Sequence, residues 1–160
     1  MSVLKRQYDL VKSTRELLFA FCEKLDPEDY AKELDGFGWG SIRNLHIHVA
    51  ECYQSWLANF GLKANVRVGE PWMVKSVQDM RNIFSEVDSL VYRFLDTYDG
   101  QLDKNVKGPV SWQEEDEELS VLWLFTHTIT HEFHHKGQMV SMARQLGYVP
   151  DDTDLIVPGV

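Results

Sequence analysis

The sequence predicts an all-α protein built as a four-helix bundle, and three observations carry that prediction. Four stretches, each long enough for a helix of about 20 to 28 residues, repeat apolar side chains at intervals of three and four. Gly, Pro and Asp-Gly signals fall between them. The chain has 160 residues, which suits a single domain spanning 1–160 with a core of useful size.

The first helix is read over residues 3 to 25, where Leu4, Tyr8, Val11, Leu18, Phe21 and Leu25 share a face. Asp26 and Pro27 then suit the cap and first position of a short turn. In Gly36-Phe37-Gly38-Trp39-Gly40 the glycines let the chain turn tightly, and Phe37 and Trp39 are expected to plug the end of the bundle. No Lys-Ser/Thr follows, so the stretch is not a phosphate loop.

Ser41 is the expected N-cap of the second helix, in which Ile42, Leu45, Val49, Cys52 and Trp56 step by three and four. Gly61 falls just beyond it, and residues 62–75 form a loop holding Gly69-Glu70-Pro71-Trp72. The third helix is the clearest signal. Val77, Met80, Phe84, Val87, Val91, Phe94 and Tyr98 alternate steps of three and four before Asp99-Gly100 stops them, which marks core.

Residues 101–113 carry Gly108-Pro109 and a faint alternation, compatible with a small hairpin or an irregular crossover. The connection is taken as irregular and no sheet is assigned. The run Glu114-Glu115-Asp116-Glu117-Glu118 reads as a solvated helix entry whose acids complement the helix dipole. The fourth helix is placed from residue 118 to 146, ending at Gly147, with a tail packed only in part.

Composition narrows the function. The net charge is −9, and an acidic surface repels both phosphate backbones and anionic lipid, so neither nucleic acid nor membrane is an expected partner. Cys22 and Cys52 lie in helical segments without C-x-x-C spacing and read as buried thiols. The N-terminal residues show no signal-peptide pattern and no long apolar run occurs, so a cytoplasmic location is expected.

Four of the six histidines fall within Thr126-His127-Thr128-Ile129-Thr130-His131-Glu132-Phe133-His134-His135-Lys136-Gly137-Gln138. Histidine is a middling helix former, so propensity does not account for the cluster. Residues four apart on a helix are separated by about 40° and about 6 Å, which lets two imidazoles aim at one ion. Two such pairs exist, His127/His131 and His131/His135. His131 belongs to both. On the second helix His46 and His48 flank the apolar stripe on opposite edges, and periodicity does not choose between them.

Three metal chemistries compete. His131-Glu132-Phe133-His134-His135 formally matches the H-E-x-x-H helix of zinc peptidases, with Glu132 as general base. That reading lacks a downstream third His or Glu and a strand to hold a peptide, and is set aside. A di-iron carboxylate bundle needs Glu-x-x-His on two helices, whereas the second helix offers the reverse order in His48-Val49-Ala50-Glu51. A mononuclear site with one His from helix two and two from helix four fits better. It leaves a coordination position open.

Two segments, Trp39-Gly40-Ser41-Ile42-Arg43-Asn44-Leu45-His46-Ile47-His48-Val49-Ala50-Glu51 and His131-Glu132-Phe133-His134-His135-Lys136-Gly137-Gln138, resemble the DinB family, which includes bacillithiol transferase-like proteins. The resemblance implies an up-down-down-up bundle and often a homodimer. It implies a divalent metal, zinc or nickel, held by His48, His131 and His135, with His46, His127 and His134 left without assigned roles. It further implies thiol S-transfer from a low-molecular-weight thiol to a small electrophile, with Glu51 orienting a ligand or accepting a proton. A non-catalytic metal-binding protein of the stress response is the alternative. Gly137 is expected to allow close helix approach, and Gln138 and Arg144 to serve the pocket or its packing.

Overall fold

The structure, a computed structural model, describes residues 2–67 and 71–155. Its helices are α1 (Val3–Cys22), α2 (Pro27–Tyr30), α3 (Ile42–Tyr53), α4 (Val77–Thr97) and α5 (Val121–Gln145), with a 3-10 turn at Pro71–Met73. Of the loop residues singled out above, Gly69 and Glu70 lie outside the described residues. No helix among the described residues is long and apolar enough to cross a membrane.

The helix starts follow local chemistry. Ser2, Asp26, Ser41, Ser76 and Ser120 each cap a helix with a side-chain oxygen that accepts a backbone N–H of its first turn. At Ser76 the cap is reciprocal, because Asp79 returns a bond to the Ser76 backbone. Helix α3 packs against α4 and α5, and α1 packs against the same two helices. The stripe Val77, Met80, Phe84, Val87, Val91 and Phe94 is buried as its periodicity requires. Cys22 and Cys52 are buried free thiols.

Three expectations are corrected. The second helix does not stop before Gly61. It continues from α3 as a π-helical segment, Gln54–Gly61, in which the Leu62 N–H reaches the Leu57 carbonyl. Gly61 is therefore a packing glycine inside the helix end, because a Cβ there would meet the Phe94 ring at 2.6 Å.

The connection before the last helix is not irregular. Strands β1 (Asn105–Gly108) and β2 (Glu117–Ser120) form an antiparallel pair, so the molecule is mostly helical with a small two-stranded sheet. The pairing sets Lys107 opposite Glu118, an attraction of unlike charges that the acidic run makes available. As a result α5 begins at Val121, three residues later than expected, with the Val121 N–H bonded to the Lys104 carbonyl. The acids at 114–118 thus belong to the hairpin rather than to a helix entry.

The third correction concerns Gly137. A Cβ there would meet nothing within 4 Å among the described residues, so none of the described helices approaches closely at that point. In the tail, Thr153 is buried and its carbonyl accepts from Lys136 Nζ, while Asp151 and Asp152 stay exposed.

Candidate metal centre

His48 is carried by α3, and His131 and His135 by α5, two helices packed directly on each other. The i,i+4 spacing on α5 puts its two rings one turn apart on one face, with centroids 4.3 Å apart. The His48 ring meets each of them at 4.8 Å. One ligand atom from each residue lies within 4.8 Å of the other two.

The donor set fits a borderline divalent cation. The Nε2 atoms of His131 and His135 are 3.1 Å apart. Nitrogen ligands at about 2.0–2.1 Å from a tetrahedral zinc are separated by about 3.3 Å, so this pair is already spaced for it. His135 Nδ1 donates to Gln138 Oε1 over 2.6 Å, which leaves the lone pair on Nε2, facing His131. Gln138 therefore has a role in orienting His135. His131 Nδ1 is buried without a hydrogen-bond partner among the described residues.

Electrostatics keep the cluster neutral, the state that ligation requires. Burial, reinforced by neighbouring histidines, lowers His131 to about 3, and burial with His135 beside it lowers His48 to about 4. Burial also lowers His135, partly opposed by its bond to Gln138.

The remaining histidines separate by location. His46 is buried, stands 5.1 Å from Phe19 and pairs its Nδ1 with the Tyr30 hydroxyl, so it belongs to the core. His127 lies against Trp123, with ring planes 9° apart, and lines the adjoining cavity. His134 stands beside His135 on the exposed side of α5.

That cavity, of about 520 Å³, opens against His48 and His131 and includes Glu51, Cys52 and Trp56 from the second helical stretch. Its size falls in the usual range for small-molecule sites. Glu51 places Oε2 3.8 Å from His48 Nδ1. Burial, with Glu132 nearby, pushes the Cys52 thiol up to about 12, which leaves it protonated and a poor nucleophile at neutral pH.

Two assignments from the sequence change. Trp39 does not plug the bundle end. It stacks on the His48 imidazole at 4.0 Å and 20° and remains 46% exposed. Glu132, the general base of the set-aside peptidase reading, is buried and occupied by Arg15 and Tyr53. Its carboxylate is a structural anion. Arg15, which periodicity alone does not single out, fills the slot between Val11 and Leu18 on the buried face of α1.

A mostly helical chain in which three histidines from two helices converge beside an open cavity defines a helical protein with a site able to hold a metal ion. The DinB family model matches residues 1–157, and the chain belongs to the DinB family. No curated protein matches it.

Proposed function

We propose that this DinB-family protein is a divalent-metal-dependent S-transferase that joins a small thiol to a small electrophile, with His48, His131 and His135 holding the ion. The observation that supports this most directly is the convergence of the three imidazoles, two of which, His48 and His131, line the cavity. Three protein ligands leave room for a reactant, as in catalytic rather than structural sites. When bound, a zinc or nickel ion supplies the charge that lowers the pKa of a coordinated thiol.

The chain supplies the rest. Gln138 fixes the tautomer of His135, and Trp39 stacks on the His48 ring. Glu51, on the cavity wall beside His48, receives the thiol proton. The sulfur lone pair forms the new S–C bond, and the leaving group departs with the bonding electrons.

The test begins with elemental analysis of untagged wild-type protein and of His48→Ala, His131→Ala and His135→Ala. About one ion per chain, lost in each variant, is the expected result. Thiol-dependent consumption of an activated aryl halide should follow, and should vanish in His131→Ala. Metal that raises the melting temperature without turnover for any thiol would make the protein a non-catalytic metal binder. Wild type that neither contains nor takes up metal would overturn the site.

A further inference from the structure

Four of the five tryptophans gather around one cavity. Trp39, Trp56 and Trp112 line the cavity beside the histidine cluster, and Trp123 lies edge-on to Trp56 at 5.2 Å. Trp56 is the hub. Its ring also stands 5.8 Å from Trp112 and 5.5 Å from Phe60. Trp39 and Trp112 nevertheless remain 46% and 57% exposed. Indole faces grouped around one opening and left to solvent are a feature of ligand sites rather than of cores.

The charge around this opening is equally selective. Among the described residues lining the cavity none is Lys or Arg, and Glu51 contributes an acid. Lys63, which lies over the Phe60 ring at 4.8 Å, donates to the Lys107 carbonyl. With a chain charge of −9, no side chain among the described lining residues carries a fixed positive charge to compensate an anion moved out of water. Trp39, Trp56, Phe60 and Trp112 give the wall flat π surfaces, which match a planar ring better than a flexible aliphatic chain.

We propose that this cavity takes the electrophilic partner as an uncharged, planar aromatic molecule, its ring stacked among Trp39, Trp56 and Trp112. The stacked ring presents its reacting carbon toward His48 and His131. Only this last step rests on reading the histidine cluster as the reaction centre; the ring recognition depends on the tryptophans alone.

The experiment is calorimetric titration with three unreactive probes of similar shape: 2-naphthalenemethanol, 2-naphthalenesulfonate and the saturated decalin analogue of the alcohol. The aromatic alcohol should bind with a Kd of about 1 mM or tighter, and at least about tenfold more tightly than the other two. Trp112→Ala should weaken it by about three- to tenfold, with Trp112→Phe restoring most of the loss. Trp72→Ala, an exposed tryptophan outside the cavity, should leave it unchanged.

Equal binding of the sulfonate or of the saturated probe would overturn the proposal, as would no binding at all. His135→Ala removes a ligand that is not part of the cavity wall, so ring binding should survive in it while metal content falls. Ring binding in a wild type that takes up no metal would sink the reaction centre and keep the aromatic site. Metal uptake without ring binding would do the reverse.

Discussion

Tyr53 donates its hydroxyl to Glu132 over 2.6 Å, and this bond ties the helix bearing His48 to the helix bearing His131 and His135. Glu132 sits directly after His131, so whatever fixes its carboxylate also fixes the rotation of α5 toward α3. Arg15 completes the clamp, reaching Oε1 with Nε at 2.7 Å and Oε2 with Nη2 at 2.9 Å. It also reaches Asp88 at 2.7 Å. The three-histidine geometry depends on a buried ion pair that touches none of the histidines.

Arg15→Ala should therefore be among the most damaging substitutions in the chain. It strands Glu132 as a buried charge, a loss of about 3–5 kcal/mol. The urea midpoint measures it, and Arg15→Met with Glu132→Leu should lose less than Arg15→Ala, since both charges leave together.

Gln138→Ala keeps all three imidazoles but frees His135 Nδ1. Metal affinity should fall by about 10- to 100-fold with the fold intact, as is usual when the partner of a ligating histidine is removed. Competition against a chromophoric chelator reads this out, with circular dichroism as the check on folding.

Stability should fall in mild acid. Burial and the charge of Arg15 lower His46 to about 3, against 6.5 for the free side chain. Between these values the unfolded chain binds a proton that the folded one refuses. The contribution is thus complete above pH 6.5 and is lost as pH falls toward 3, by up to about 1.4 kcal/mol per unit. His46→Leu should flatten the plot of unfolding free energy against pH by about one proton in that window.

Two glycines on long helices should respond in opposite directions. Gly61→Ala drives a methyl group into the Phe94 ring and should cost about 1–3 kcal/mol. Gly137→Ala meets open space in mid-helix and should gain about 0.5–1 kcal/mol. Denaturant midpoints of the two variants decide both.

The helices were legible because their signals are local: the Ser41 cap, a 3-4 stripe on α4, and Asp26-Pro27. The hairpin was not, because strand pairing depends on residues 105–108 meeting 117–120 across a turn, the alternation of the first segment is only four residues long, and the second does not alternate. At the site, the spacing of His131 and His135 was visible, whereas the choice of His48 over His46 came from family resemblance. The structure supplies its physical reason, since His46 is closed in by Phe19 and Tyr30. The signal for the clamp was present but unread. Arg15 and Glu132 each fall on the buried, mostly apolar face of their helix, and two such charges of opposite sign point to a buried pair.

Much of the cavity wall is helical and bound into the core, but Pro109, Val110, Ser111 and Trp112 enter it from the span joining β1 to β2. The two strands hold the ends of that span in register, so its interior can lengthen or change composition while α3 and α5 keep the histidines where they are. Doubling such a loop adds only about 0.6 kcal/mol of closure entropy. The fold thus uncouples the three-histidine cluster from one wall of the cavity beside it: a few residues of one span can be rewritten while the helices that place His48, His131 and His135 stay as they are.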